Sequence, residues 1–252
     1  MRRVKGFTLI ELLVVVAIIG ALVAVLIPSL AAARKRARLV ACATNHRTLI
    51  CEYQRYDGEP GYPRADYVIL RMDILGPPKI LICPETRTRP DAGTGDVFVA
   101  WRLNYTYQGA PHPGISWIDC SYGFNDWFIY VYPLTPADTT SFAGVRFYNR
   151  RAPQNESTIP VFVDAITDQV SPVATDLIPP HPFSANPVIY PPLIQMSSFV
   201  NRRHGNVTNV AFWDGHVESV KLPDLWTLRW HRDWKRSDPY PVPADWNGFV
   251  GP

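Results

Sequence analysis

The chain has 252 residues, 47% of them hydrophobic, with 25 prolines, four cysteines, eight tryptophans and a formal charge of +3. Arg2, Arg3 and Lys5 supply three positive charges, so the chain beyond residue 6 is formally neutral and lacks the basic excess expected of a nucleic-acid binder. The length accommodates one membrane helix and one domain of about 195 residues, and the prolines argue against long regular helices after the first.

The first 33 residues place three basic side chains ahead of Gly6. An apolar run from 7 to 33 follows, interrupted by one charge, Glu11, and one helix breaker, Pro28. As a helix the run spans about 40 Å, more than the ~30 Å hydrocarbon core requires. The basic flank ahead of it predicts a cytoplasmic N-terminus. A cleaved secretory signal would have a shorter apolar core and an A-x-A site, which Ala31–Ala33 imitate, but neither the length nor Glu11 suits it. A plain anchor leaves Glu11 unexplained, because a charge inside a bilayer is costly and usually functional. A buried helix of a soluble protein explains neither the flank nor the length.

Gly6-Phe7-Thr8-Leu9-Ile10-Glu11 resembles the processing site of type IV pilins and type II secretion pseudopilins. The resemblance implies a leader of residues 1–6 removed after Gly6 by a prepilin peptidase, and methylation of the new N-terminus at Phe7. It also implies a carboxylate at Glu11 that helps subunits assemble, and a helix-bending proline at Pro28.

No breaker interrupts the basic cluster 34–38, so the helix is expected to continue to residue 57, where Asp57, Gly58, Glu59, Pro60 and Gly61 stop it. Leu39, Ala43, His46, Ile50 and Tyr53, joined by Cys42 and Leu49, form one stripe that should pack on a domain, with His46 as a core residue. The globular part is then 58–252. Outside the cytoplasm disulfides persist. Cys42 and Cys51 lie on opposite sides of the helix and cannot pair within it; Cys83 with Cys120 is the candidate bridge among the pairings that stay open, and no C-x-x-C pair exists.

Between 61 and 160 the signals are short and β-like. Runs at 97–101 and 127–132 read as strands, and 159–164 reads as a buried strand whose last residue, Asp164, meets solvent. Ile82-Cys83-Pro84 and Ser121-Tyr122-Gly123-Phe124-Asn125 resemble segments found in one bacterial group of pilin-like proteins. Seven prolines within 171–192 predict an extended surface loop.

Residues 209–220 read as a hairpin whose Asp214-Gly215 suits a two-residue type I′ turn, setting Phe212 opposite Val217 and Trp213 opposite His216. His204 stands ten residues before Asp214, with nine between them, and this spacing resembles the H-X9-DG domain that accompanies prepilin-type leaders in planctomycete-like bacteria. A metal-dependent enzyme built on His204, Asp214 and His216 is the alternative. However, the turn explains Asp214, cross-strand pairing explains His216, and no nucleophile or second carboxylate accompanies them. No catalytic residue, metal or cofactor is therefore expected. Residues 225–234 read as a short helix with Trp226, Trp230 and Trp234 on one stripe, which is core by default. The alternative is an aromatic ridge of a monomeric anchored protein that binds a glycan or envelope partner.

The expected fold is α+β, a long N-terminal helix whose second half packs on an antiparallel sheet with proline-rich loops. The resemblance implies a structural, non-enzymatic subunit of a type IV pilus or type II secretion-type filament. Its partners would be prepilin peptidase and other pilin or pseudopilin subunits. It would be held in the bacterial inner membrane with the C-terminal domain extracytoplasmic. Mass spectrometry of the mature protein should find a chain starting at N-methylated Phe7; a start beyond Ala33 would identify a secretory signal instead.

Overall fold

The computed structural model describes residues 8–56, 78–88, 98–104, 106–107, 110–111, 117–128, 156–167, 169–176, 195–199, 202–235, 238 and 241. Gly6, Phe7, the expected strand beyond residue 128 and most of the proline-rich loop lie outside them.

One helix, α1 (Leu9–Tyr56), runs for 48 residues. Its start is fixed by a reciprocal cap. Thr8 donates its backbone N–H and its hydroxyl to Glu11 Oε2, both at 2.8 Å, while Glu11 N donates to Thr8 Oγ1 at 3.3 Å. This capping box satisfies amides that a helix terminus otherwise leaves without partners. Pro28 lies inside α1; its missing N–H withdraws the helical donor from the carbonyl of Ala24. The chain divides into two compact units, Met1–Arg38 and Leu39–Pro252. In the first, every described side chain is exposed, including the apolar run, and the helix is long and apolar enough to cross a membrane.

In the second unit nine strands are described. They are β1 (Trp101–Asn104), β2 (Thr106–Tyr107), β3 (Ala110–Pro111), β4 (Trp117–Cys120), β5 (Tyr122–Asn125), β6 (Pro160–Asp164), β7 (Gln169–Val170), β8 (Val207–Phe212) and β9 (Val217–Lys221). The main sheet has the order β7-β5-β6-β8-β9. Four of its strands are antiparallel neighbours, and the two-residue edge strand β7 pairs parallel to β5. The α+β expectation holds, with that parallel edge added.

The stripe on α1 packs as expected. Cys42, His46, Leu49, Ile50 and Tyr53 are buried, and Cys51, on the opposite side, is exposed. Tyr53 sits among Phe124, Phe162 and Trp213 at centroid distances of 5.4, 5.8 and 5.9 Å, so rings from the helix, the sheet and the hairpin form one apolar layer. β5 is buried throughout. An added Cβ on Gly123 would lie 2.6 Å from Ala165 Cβ and 2.8 Å from the Thr167 carbonyl, so only glycine fits this close approach. Asn125 donates to the carbonyls of Pro160 and Trp230, both at 2.9 Å, which ties the C-terminal segment to the sheet.

Several expectations are corrected. Among the described residues of the strand expected at 97–101, Val99 makes only an isolated bridge with Arg87 and the strand proper begins at Trp101, while Trp127 lies in a 3-10 turn (Asp126–Phe128). Asp164 closes β6 fully buried rather than at solvent. The four cysteines are free thiols, so the Cys83–Cys120 bridge is not formed: Cys83 Sγ faces His204 Nε2 at 3.2 Å, and Cys120 Sγ faces the Tyr122 backbone. In place of the helix expected at 225–234 there is a 3-10 segment (Leu222–Thr227) followed by irregular chain. Its three tryptophans are buried, and their indole N–H groups donate to the carbonyls of Asp176, Leu225 and Trp226. The sequence stripe is therefore core and offers no exposed ridge.

The hairpin is displaced by one residue from the expected register. Ala211 pairs with Val217, and Phe212 N donates to the His216 carbonyl at 2.9 Å. Three residues, Trp213, Asp214 and Gly215, therefore make the loop. Gly215 N donates to the Phe212 carbonyl, and Gly215 takes φ +88°, the left-handed position that follows a type I turn. Phe212 and His216 consequently stack, with centroids 4.3 Å apart. Gly215→Val should cost about 1–3 kcal/mol, because a β-branched residue resists positive φ and its Cβ would meet Gln54 Oε1 at 3.2 Å. Asp214→Asn should cost far less. Thermal unfolding of the two variants beside wild type checks the contrast.

Candidate functional site

Two places gather the residues singled out in the sequence. The first is the start of α1, where the Glu11 carboxylate belongs to the capping box on an otherwise apolar, exposed surface. The second is a polar knot inside the domain. Cys42 and His46 reach it from successive turns of α1, four residues apart and hence on one face. Cys83 enters from the loop after a 3-10 turn (Pro78–Leu81), and Asp164 from the end of β6. Arg203 and His204 come from the tight turn before β8, which Gly205 completes at φ +83° with its N–H on the Arg202 carbonyl.

Asp164 is the centre of the knot. Its Oδ1 accepts from Cys42 Sγ at 3.1 Å and lies 3.3 Å from His46 Nε2 and 3.8 Å from Arg203 Nη1. Its Oδ2 accepts from Asn209 N at 3.3 Å and lies 3.5 Å from His204 Nε2. Burial alone would raise this carboxyl, but the hydrogen bond and charge of His46, with His204 and Arg203, hold it well below the usual carboxylate range. Burial likewise works against the Cys83 thiolate, yet hydrogen bonds with Cys42 and His204 bring Cys83 down to about 6. His204 is pulled down by burial and raised overall by Cys83 and Asp164.

A thiol of lowered pKa facing an imidazole is the chemistry of an activated nucleophile. Here Cys83 is 0% exposed and the His204 side chain 2%, so a substrate has no approach. What the arrangement offers instead is donor atoms. Cys42, Cys83, Asp164 and His204 present two sulfurs, an oxygen and a nitrogen, all within 4.8 Å of one another.

The fold separates the three residues of the enzyme alternative. His204 joins the buried knot, while Asp214 and His216 pair with each other at the turn, where Asp214 Oδ1 accepts from His216 N at 3.1 Å and Nδ1 at 2.5 Å. Sequence reasoning missed Asp164 and Arg203, and it assigned Cys83 to a disulfide. The available signal was Cys42 and His46 at i, i+4 on an otherwise apolar stripe.

The Asp-Gly loop is also fastened to the helix. Arg47 Nη1 donates to the Gly215 carbonyl, and Gln54 Nε2 donates to the Trp213 carbonyl at 2.5 Å.

Residues 1–27 match the family described as the prokaryotic N-terminal methylation motif. Over 37 residues the chain is 76% identical to the type IV wide pilus major component PilA4 of Thermus thermophilus, a match that covers 15% of this chain and 28% of that relative's length. No solved structure matches the chain.

Asp164→Asn keeps the side-chain shape while removing a buried charge that faces Arg203, His46 and His204. It should lower stability by roughly 3–5 kcal/mol, the usual cost of breaking a buried ion pair by losing one partner. Denaturant unfolding of the full chain in detergent measures this.

Proposed function

We propose that the protein is a pilin-like subunit of a type IV pilus or type II secretion-type filament, with a structural rather than catalytic role. The observation that carries the reading is the N-terminal motif match over residues 1–27, joined to a helix whose apolar first part is fully exposed and carries one carboxylate at its start. The 76% identity to a pilus component over 37 residues supports it. In this reading a prepilin peptidase cuts between Gly6 and Phe7, and the first half of α1 holds the chain in the inner membrane. The N-terminus faces the cytoplasm, the domain lies outside, and α1 bends at Pro28 where subunits pack together.

The capping box sharpens the role of Glu11. A carboxylate near hydrocarbon costs on the order of 2.5–3.5 kcal/mol in a lone helix, so a positive partner is required to offset it. Cleavage creates one, the ammonium of Phe7, which methylation leaves charged. Thr8 already donates twice to Glu11 Oε2 in its own chain. Glu11 Oε1 is the oxygen left to accept from the Phe7 ammonium of a neighbouring subunit, a contact that also sets the axial stagger between helices.

Glutamine also serves at the third position of a capping box, so Glu11→Gln keeps the helix start and removes only the charge. Glu11→Ala removes both. Each variant should insert and be cleaved normally, yet enter filaments at least about tenfold less, the effect of some 1.4 kcal/mol. Thr8→Val, which loses one capping hydroxyl and keeps the charge, should still assemble. Normal assembly of both Glu11 variants in sheared-filament preparations would refute the assembly role.

A further inference from the structure

We propose that Cys42, Cys83, Asp164 and His204 form a closed structural zinc site that binds α1 to the sheet of the globular domain. Nothing in this depends on filament assembly, so the two readings fail separately. Two sulfurs, one imidazole nitrogen and one carboxylate oxygen are the ligand types zinc accepts in structural sites, whereas calcium and magnesium take oxygen ligands. Four protein ligands also complete a tetrahedral shell, leaving no position for a substrate.

Geometry agrees. Bonds of about 2.3 Å to sulfur and 2.0–2.2 Å to nitrogen and oxygen place tetrahedral ligands about 3.3–3.8 Å apart. Cys83 Sγ to His204 Nε2 is 3.2 Å and Cys42 Sγ to Asp164 Oδ1 is 3.1 Å, each slightly inside that range, while the other carboxylate oxygen, Asp164 Oδ2, lies 3.5 Å from His204 Nε2. All four atoms lie within 4.8 Å of one another, so a movement of about 1 Å brings the widest pair to bonding geometry.

Charge and surroundings agree too. Two thiolates and a carboxylate carry three negative charges; a divalent ion and the Arg203 guanidinium, 3.8 Å from Asp164, balance them in a site sealed from water. His46 Nε2 lies 3.3 Å from Asp164 Oδ1 and steadies that carboxylate from outside the coordination shell. Tyr122 Oη lies 3.6 Å from Cys42 Sγ, a hydrogen bond that reverses direction once Cys42 is a thiolate. Cys42 and Asp164 are 122 residues apart in sequence, and Cys83 and His204 are 121. One ion would therefore close several long loops, where a crosslink restricts the unfolded chain most.

The test uses the full-length chain in detergent, reduced and stripped with a chelator, then titrated with Co2+ as a spectroscopic stand-in for zinc. The expected result is saturation at one equivalent, with thiolate-to-cobalt charge transfer and the strong d–d bands of a tetrahedral site, displaced by Zn2+, and a higher melting temperature with either metal. Cys83→Ser should lose much of the charge transfer, and His46→Gln should keep the spectrum but bind about 10–100-fold more weakly. Cys51→Ser, on the exposed side of α1, should behave as wild type. Because Cys83→Ser could fail to fold, the wild-type titration decides alone: no saturable Co2+ uptake by the reduced protein overturns the proposal. A Cys42–Cys83 disulfide in thiol-blocked protein, with no metal bound after its reduction, overturns it in favour of a redox crosslink.

Discussion

A carboxylate with no water around it must find its partners in the protein, and Asp164 sets the terms for the whole domain. It is fully buried where α1, β6, the loop carrying Cys83 and the turn before β8 converge. Leaving such a charge unsatisfied would cost more than a small domain can spare. The helix, the turn and the strand that follows it therefore have to be in place for the carboxylate to be satisfied. Cys42 and His46 supply the helix's share, Arg203 and His204 that of the turn, and Asn209 N that of the strand. The aromatic layer beneath contributes more burial. Unlike an apolar layer, which tolerates repacking, the knot admits one arrangement of the helix against the strands.

The helix meets two environments in one continuous element. Its first part shows every apolar side chain outward, and its later turns keep only one buried stripe. A single long helix can serve both because its backbone hydrogen bonds are satisfied internally, whatever surrounds it. Its ends and its one proline are where that internal satisfaction lapses, and the chain deals with the start through Thr8 and Glu11.

Much of this was legible in the sequence, for identifiable reasons. Period 3.6 over 39–53 gave the buried face of α1, and the apolar run of 159–163 gave β6. Asp-Gly located the hairpin, but three loop residues fit there as well as two. The structure takes three, with Ala211 paired to Val217 and Gly215 at positive φ, and that shifts every cross-strand partner. The tryptophans at 226, 230 and 234 have helical spacing, yet tertiary packing with indole-to-carbonyl bonds overrides it. The knot was the least legible. Apart from Cys42 with His46 and Arg203 with His204, its members come from segments far apart in the chain, and a terminal Asp on a strand normally signals solvent. No local pattern says that another segment will cover it.

The points at which α1 grips the domain are spread along its axis. Leu39 takes the Asn209 amide at 3.3 Å, Cys42 and His46 hold Asp164, and Arg47 and Gln54 hold the carbonyls of the hairpin loop. From Leu39 to Gln54 this is about 22 Å of helix. A pull along that axis loads these contacts in parallel, as shear, rather than peeling them one after another. Tension carried by the helix would reach the sheet through backbone carbonyls and a buried charge, so the domain should yield as one unit.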